Sequence, residues 1–526
     1  MQPRALRLTA TFVALASFGF LVAIWIAFPW VAGDTPFVLD GSNAFLTCLS
    51  NHDYDACGFT GKLNYWGLMS PIGDWPLLQH VPDLISIKLG ANGHPARTRI
   101  LESLSVAGVA GSVALARVVL SRIGQAAWFW GFLLIVLSSP LVWYARTTAA
   151  EALAAGLLVC LVAAAVLRAP PPVLALAALG ASWTKETSYP FVAALGFLGL
   201  DLARRRTGLP IRRHVVWGAG GIAVAFVAAS LFNVVRFGSI LSPNLFEEEL
   251  HTPGILRPLE YTVALFVSPS GGIFVFWPAA SVLVLAACLV PFWSRSRGAT
   301  NARPALIIVV VVLGLAYGFA GWWTPFGWAG YGPRFSLPWV LPLVLVALVA
   351  YGEALAGLAR RALVPSWRLL LVFAAVLTFS LPSIGHMWRP DATARFFAQP
   401  QPDCDAPWRP GWNLARWNDC QHEQLWLDRP MPLYALDSFG TSSSVLTSVV
   451  VALGLLSCLI LLREELPKVR PVAGRVSPAE PQPRRKQADA GEPAVTGRPR
   501  PRLEASSEPG RDASRPPSRP PPSRNW

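Results

Sequence analysis

The stretch "ALIIVVVVLGLAYGFAGWWTPFGWAGYGPRFSLPWVLPLVLVALVAYG", residues 305–352, decides the fold class. It contains two apolar runs, each close to the roughly 20 residues that cross a hydrocarbon core as a helix. Between the runs lies a segment rich in Trp, Gly and Pro in which Arg334 is the single charged residue. Because irregular backbone cannot face lipid, we expect two helices joined at the membrane surface.

The same pattern recurs along the chain and predicts an all-α polytopic membrane protein. Of its 526 residues, 53% are hydrophobic and 14% are charged, a composition typical of this class. Apolar runs predict about twelve transmembrane helices, near residues 10–31, 100–119, 125–143, 149–167, 172–184, 187–200, 215–234, 271–292, 305–320, 336–352, 368–385 and 443–462. The fifth and sixth runs are short, so they also fit a helical hairpin or a partly re-entrant pair.

The positions of Lys and Arg predict how the chain lies in the cell membrane. Basic clusters such as Arg204, Arg205 and Arg206 fall at alternate ends of the predicted spans. The positive-inside rule then places both termini in the cytoplasm and segments 32–98, 235–270 and 386–442 outside. The net charge of +14 follows mainly from this arrangement and the tail, so it gives little support to nucleic-acid binding.

The chain divides into a predicted transmembrane domain, residues 1–462, and a tail, residues 463–526. The tail is rich in Pro and Arg and poor in apolar residues, which predicts a disordered cytoplasmic segment. The outer segments contain no P-loop, GxGxxG turn, HExxH helix or CxxC pair. Nucleotide and structural-zinc sites therefore have no support.

Four of the seven cysteines fall in predicted outer segments. Cys48 and Cys57 lie in the first segment, and Cys404 and Cys420 lie in the last. Even numbers of cysteines in an oxidising compartment predict two bridges, Cys48–Cys57 and Cys404–Cys420.

The first outer segment carries the candidate acids. Asp34 and Asp40 follow the first span closely, and a carboxylate held against an apolar wall suits a general base or a cation ligand. Asp40 has a second interpretation, as the N-cap of a helix that begins near Gly41. Further on, the amphipathic segment "DWPLLQHVPDLISIKLG" is expected to lie flat on the outer interface with His80 on its polar face.

Ionisable residues also fall at the predicted outer ends of later spans. Arg146 and Glu151 lie between the third and fourth spans, and Lys185 and Glu186 lie between the fifth and sixth. Such groups are costly at membrane depth, which favours a functional role or an ion pair. For Glu186, a local salt bridge at a helix end is equally consistent with the sequence.

Arg334 has two interpretations. It could be a snorkelling arginine in an interfacial aromatic belt. However, it lies on the wrong side for a topology signal, and no acidic residue occurs within ten positions. A guanidinium group also suits bidentate binding of a phosphate. We therefore expect Arg334 to hold a phosphate.

The order of these features resembles the GT-C membrane glycosyltransferases, a superfamily that uses polyprenyl-phosphate-linked sugars and includes bacterial mannosyl- and arabinosyltransferases. An acidic first outer loop is followed by "DWPLLQHVPDLISIKLG", "YARTTAAEALAAGLL", "ASWTKETSYP", "LFVSPSGGIFVFWP" and "GWAGYGPRFSLPWVLPL". The similarity covers roughly residues 10–385. It implies a GT-C-like helical bundle that transfers a hexose or pentose from the lipid donor to an envelope glycan, lipid or protein on the outer face.

The resemblance also implies roles for individual residues. The base would be Asp40 or Asp34, and the chain lacks the adjacent acidic pair of many members, so both remain open. The donor phosphate would be bound by Arg334, Lys185 and Arg146. Substrate-positioning roles fall to Glu186, Glu151, His80 and Tyr331. Some members use a divalent cation, which this sequence permits but does not demand.

Two other classes fit parts of the sequence. A lipid or polysaccharide transporter would also have many spans, yet no inverted repeat relates the two halves. A non-catalytic protein of envelope assembly would explain the loop "PWRPGWNLARWNDCQHEQLWLDRP" as a docking surface. There Trp408, Trp412, Trp417 and Trp426 would stack on sugar rings, although ordinary packing around a Cys404–Cys420 bridge is the favoured explanation.

Overall fold

The computed structural model describes most of the predicted spans and parts of the outer segments. The described residues are 3–28, 35–51, 63–64, 67–68, 77–91, 93–148, 150–184, 188–242, 251–293, 301–322, 326, 334–363, 366–385, 422, 424–426 and 442–466. Structural statements below refer to these residues. The predicted tail lies outside them apart from its first four residues.

The described chain is helical apart from one short pair of strands. The helices are α1 (Pro3–Ala27), α2 (Thr35–Asn51), α3 (Leu77–Lys88), α4 (His94–Arg122), α5 (Trp128–Leu137), α6 (Leu141–Tyr144), α7 (Glu151–Val166), α8 (Pro171–Ser182), α9 (Tyr189–Thr207), α10 (Arg212–Phe237), α11 (Leu256–Val267), α12 (Ile273–Phe276), α13 (Pro278–Trp293), α14 (Arg303–Ala320), α15 (Leu337–Leu363), α16 (Ser366–Gly385) and α17 (Ser442–Glu465). Two antiparallel strands, β1 (Leu63–Asn64) and β2 (Gly67–Leu68), pair Leu63 with Leu68.

The predicted class, a multi-pass helical membrane protein, is confirmed. Within the described residues, six helices are long and apolar enough to cross a membrane: α1, α4, α10, α14, α15 and α17. Five shorter apolar helices accompany them. A helix lies at each predicted span, but α8 has only 12 residues and is about 18 Å long, well short of a bilayer core. The count of twelve crossings and the orientation of the termini remain predictions.

Two predicted spans are interrupted by proline. The third ends as α5 at Leu137 and resumes as α6 at Leu141, because Pro140 lacks an N–H and its ring crowds the preceding turn. The eighth is divided into α12 and α13, where Pro278 occupies the first position of the new helix. Each of these two predicted spans therefore contains two helices rather than one.

Helices α4 and α7 cross with their backbones in contact. A Cβ atom on Gly108 would lie 2.4 Å from the carbonyl oxygen of Ala152, and one on Gly156 would lie 2.5 Å from the Cα of Gly108. Small residues permit this close approach in membrane helices. The crossing fixes the beginning of α7, where Glu151 lies, against the middle of α4.

Polar contacts fix the chain at the junction of α11 and α14. Thr252, shortly before α11, donates its N–H to Gly321 at 3.0 Å. Its hydroxyl lies 2.9 Å from the carbonyl oxygens of Ala320 and Trp322. These bonds satisfy carbonyl groups at the end of α14 that have no partner within the helix.

Candidate active site

The predicted residues Glu151 and Arg334 form an ion pair. Glu151 lies in the first turn of α7, and its Oε1 accepts a hydrogen bond from Nε of Arg334. Their side chains are 9% and 13% exposed, respectively. The sequence shows no acid near Arg334, yet the fold supplies one from 183 residues away. The pair is thus partly shielded from water and stronger than a surface salt bridge.

A close contact between two loops holds the backbone at Arg334. The N–H of Arg334 donates to the carbonyl oxygen of Phe326 at 3.0 Å. The ring of Phe326 lies against Gly271, where a Cβ atom would be 2.3 Å from a ring carbon. Only glycine leaves room for the ring at this distance. The turn around Gly271 therefore sets the position of Phe326 and, through it, that of Arg334.

Arg146 is a buried cation in the turn between α6 and α7. Its side chain is almost inaccessible, and within the described part of the chain Nε and Nη2 have no hydrogen-bond partner. Burial lowers the pKa of Arg146 to about 10, so the group is still charged at neutral pH. A buried cation without a partner is costly, and an anionic ligand would offset that cost.

The turn before α7, the first turn of α7 and the loop before α15 contribute a net positive charge. Arg146 and Arg334 contribute two cations, and Glu151 contributes one carboxylate, whose Oε2 also lacks a hydrogen-bond partner among the described residues. Arg146 precedes α7 and Glu151 begins it, so both are fixed by the same helix end. Guanidinium groups such as these suit a phosphate group.

Asp40 lies within α2 and its carboxylate is mostly exposed. The N-cap interpretation is wrong, because the helix begins at Thr35. Pro36 in its first turn was a signal for that start. Oδ1 of Asp40 lies 3.4 Å from Nε2 of His94, at the beginning of α4. An accessible carboxylate beside an imidazole can accept a proton. His94 was not among the predicted residues.

Helix α3 buries polar residues that were predicted to lie on its outer face. Its polar residues His80, Asp83 and Ser86 are buried, whereas Ile85 and Leu89, just beyond its end, are exposed. The expected place of His80 on a polar face at the headgroups was therefore wrong. In a membrane protein, an apolar face can point to lipid while polar groups bind one another inside.

His80 is a neutral hydrogen-bond donor to α2. Its Nδ1 lies 3.0 Å from Oγ of Ser42, whose own proton is donated to the carbonyl oxygen of Val38. Nδ1 therefore carries the proton and donates it to Ser42. Burial, with a contribution from the positive charge of Arg236, lowers the pKa of His80 to about 3. A role of His80 in positioning substrate remains a prediction.

Sequence reasoning missed a buried ion pair between α3 and α4. Arg97 donates from Nε to Oδ1 of Asp83 at 2.6 Å, and Nη2 binds Oδ2 of the same carboxylate. Asp83 lies inside the quoted interfacial segment, but its partner is 14 residues away on a separate helix. Nothing local in the sequence marks the two residues as a pair.

The described part of the last outer segment is bound to α11 and the turn after it. Glu260 accepts hydrogen bonds from Nε1 of Trp426 at 2.9 Å and from His422 at 2.8 Å. Ser268 donates to the carbonyl oxygen of Leu425 at 2.5 Å. The hydrogen bonds from Trp426 and His422 lower the pKa of Glu260. Trp426 is thus fixed at its indole nitrogen and half exposed at its ring.

Several predicted residues lie outside the described part of the chain. They are Asp34, Lys185, Glu186, Tyr331, Cys57, Cys404, Cys420, Trp408, Trp412 and Trp417. Cys48 is disulfide-bonded, but the pairings Cys48–Cys57 and Cys404–Cys420 remain predictions. The described residues contain no group of three or more His, Cys, Asp or Glu that would hold a metal ion.

No protein-family model and no curated protein matches the chain. Among solved structures, the chain is similar to the crystal structure of ArnT from Cupriavidus metallidurans in the apo state, with 16% identity and a TM-score of 0.40 over 85% of this chain and 78% of ArnT. It is also similar to the same enzyme bound to undecaprenyl phosphate, with 17% identity and a TM-score of 0.39 over 84% and 77% of the two chains.

Proposed function

We propose that this protein is a membrane glycosyltransferase of the GT-C type, which moves a sugar from a polyprenyl-phosphate donor to an acceptor on the outer face of the membrane. The observation that carries the proposal is the buried guanidinium group of Arg146, whose Nε and Nη2 have no partner among the described residues. A phosphate is the anion that best matches its planar donors. The donor phosphate would therefore bind beside the first turn of α7.

Arg334 is the second phosphate ligand in this scheme. Its Nε is engaged by Glu151, and a guanidinium group whose orientation is held by a carboxylate suits phosphate binding. Glu151 thus positions Arg334 rather than contacting the sugar. Lys185, beyond the described residues, would be a third cation, as the GT-C resemblance implies.

Asp40 is the proposed general base. The acceptor hydroxyl gives its proton to the Asp40 carboxylate as its oxygen attacks the anomeric carbon of the donor. The bond from that carbon to the phosphate oxygen breaks, and polyprenyl phosphate leaves with the electron pair. The two guanidinium groups stabilise the charge that develops on the phosphate. Asp34 is the alternative base, while Glu186 and Tyr331 would help to position the substrates.

The apolar surface at the outer helices supports a lipid-linked donor. Ile85 of α3, Leu89, which follows α3, and Leu259 and Val263 of α11 are exposed. Apolar side chains on elements beside the spanning helices suit contact with lipid tails. A polyprenyl chain could therefore remain in the bilayer while its phosphate reaches the buried arginine.

Turnover of a lipid-linked sugar tests the proposal. Purified protein in nanodiscs is mixed with a series of polyprenyl-phosphate sugars and acceptors, and the released polyprenyl phosphate is measured by mass spectrometry. We expect the wild-type protein to turn over the donor, and we expect at least a ten-fold loss in Arg146→Gln, which keeps a polar side chain but removes the charge. Arg117→Gln, an exposed arginine of α4, is the matched control.

The same preparation separates the alternatives. Movement of intact lipid-linked sugar between leaflets without cleavage would identify a transporter. Binding of an envelope partner with neither cleavage nor movement would identify a non-catalytic assembly protein. Either result would contradict the enzyme proposal, as would equal turnover in the Arg146→Gln and wild-type proteins.

A further inference from the structure

The buried pair of Arg97 and Asp83 also reaches α2. Nη1 of Arg97 donates to Oδ1 of Asn43 at 3.0 Å, and Nη2 donates to the carbonyl oxygen of Leu39 at 2.7 Å. Together with the two bonds to Asp83, the guanidinium forms four hydrogen bonds to two different helices. The planar fork of arginine makes this set possible, and a lysine ammonium cannot reproduce it.

The contacts on α2 surround Asp40. Leu39 immediately precedes Asp40, and Asn43 lies one turn after it on the same face. On the other helix, His94 contacts Asp40 at 3.4 Å and lies one turn before Arg97. The first turn of α4 therefore contacts α2 at three residues: Leu39, Asp40 and Asn43.

The carboxylate of Asp83 completes this arrangement from α3. It is fully buried, so its charge is paired with Arg97 in a region of low dielectric. Because Asp83 binds Nε and Nη2, the plane of the guanidinium is fixed and Nη1 points to Asn43. Within the described residues, Arg97 bonds to Asp83 and to Leu39 and Asn43 of α2, while Asp83 bonds to Arg97 and Ser86.

We propose that Arg97 and Asp83 are positioning residues that hold α2 so that Asp40 faces the acceptor, an inference that rests on the proposed role of Asp40 as base. Arg97 acts through the backbone of Leu39 and the side chain of Asn43, and Asp83 acts through Arg97. Loss of the fork would leave the donor site on α7 intact while displacing the base. The effect should therefore fall on kcat and spare the KM for the lipid donor.

Arg97→Lys tests this separation. Lysine keeps the positive charge beside Asp83 but cannot bind α2 and α3 at the same time. A displacement of the base by about 1 Å is expected to lower kcat about 100-fold. The donor KM should stay within about two-fold of wild type. Arg99→Lys is the matched control, because Arg99 lies two residues away on the same helix and is 61% exposed; its kcat should not change.

Hydrogen exchange of α2 provides a readout that does not depend on catalysis. In the full-length protein in nanodiscs, amides of residues 38–48 should exchange at least ten-fold faster in Arg97→Lys than in Arg99→Lys. Exchange at the wild-type rate would overturn the positioning role. If the wild type transfers no sugar, the proposed function fails, but this measurement still tests the contact of Arg97 with α2.

Asn43→Ala covers the case in which Arg97→Lys does not fold. Asn43 is exposed and alanine favours helix, so the variant removes one bond of the set with little risk to folding. A smaller fall in kcat, several-fold, with an unchanged donor KM supports the inference. A wild-type kcat together with wild-type exchange of α2 contradicts it.

Discussion

The carboxylate of Glu151 binds the guanidinium of Arg334 across 183 residues of chain. One partner begins α7, and the other ends the Trp-rich loop before α15. The bond therefore connects the start of α7 to the loop before α15. An ion pair between segments that are distant in the sequence restricts the position of both side chains relative to each other, which a turn within one segment does not do.

Arg334→Lys should reduce turnover while the protein remains folded. Lysine keeps the positive charge near Glu151 but offers no planar fork for a phosphate. We expect at least a ten-fold fall in donor turnover, and a larger fall for Arg334→Ala. Lipid-donor assays with both purified variants provide the measurement. Wild-type activity in Arg334→Ala would leave Arg334 as an interfacial residue and shift the phosphate to Arg146 and Lys185.

Glu151→Gln should destabilise the protein more than it should alter donor binding. Loss of one partner leaves the charge of Arg334 uncompensated in a partly buried place, at a cost of about 3 kcal/mol or less, since the pair is not fully buried. Thermal unfolding in detergent measures the change. The double variant Glu151→Gln with Arg334→Gln should recover part of the lost stability, and no recovery would indicate that the two residues do not interact.

Asp40→Asn should abolish transfer with little change in folding. The amide keeps the size of the carboxylate but cannot accept the proton, and loss of a general base costs about 10²–10⁴-fold in rate. Glu353→Gln, an exposed acid of α15, serves as the control. If Asp40→Asn keeps more than half of the wild-type rate, Asp40 is not the base, and Asp34→Asn is the variant to measure next.

Gly271→Ala should disturb Arg334 through Phe326. The added methyl group would lie 2.3 Å from the Phe326 ring, so the ring must move, at a cost of about 1–3 kcal/mol. We expect lower stability and lower turnover. Adding Phe326→Leu should restore both in part by freeing space. Gly220→Ala, where the new methyl meets open space, should behave as wild type; a neutral Gly271→Ala would contradict the packing.

Acid should release the turn at residues 424–426 from α11. The hydrogen bonds of Trp426 and His422 lower the pKa of Glu260 below its ordinary value of 4.5. Because its pKa is lowered, the ionised carboxylate of Glu260 stabilises the contact between the turn and α11 at pH values above its ordinary pKa. This stabilisation is lost as the pH falls through the lowered pKa. Hydrogen exchange of residues 422–426 should therefore rise below about pH 4.5. In Glu260→Gln it should be fast at neutral pH as well.

The apolar runs were sufficient to predict where the helices lie. They did not predict which face of each helix is buried. For α3, helical periodicity separates His80 and Asp83 from Ile85 correctly. In water the polar face would point outward, whereas here His80, Asp83 and Ser86 are inside together with Leu77 and Leu78, and Ile85 is exposed. Periodicity alone cannot distinguish the two cases, because it contains no information about the surrounding solvent.

The ionisable residues of the candidate site could be chosen from the sequence because charges are rare and costly near membrane spans. The interaction partners of these residues could not be predicted from the sequence. Arg334 meets Glu151, and Arg97 meets Asp83 and α2, only after distant helices pack. The start of α4 did carry a local signal in the sequence, because Gly93 is followed within two residues by Pro95, which occupies the first turn of the helix.

The contact of Gly108 with Ala152 and Gly156 means that the proposed base and the proposed phosphate site are held by the same pair of packed helices. Helix α4 holds the proposed base through His94 and Arg97, while α7 begins at the proposed phosphate site. With their backbones touching, neither helix can slide along the other without a steric clash. The distance between the proposed base and the proposed phosphate site is therefore fixed. A donor and an acceptor must together fit this distance in order to react.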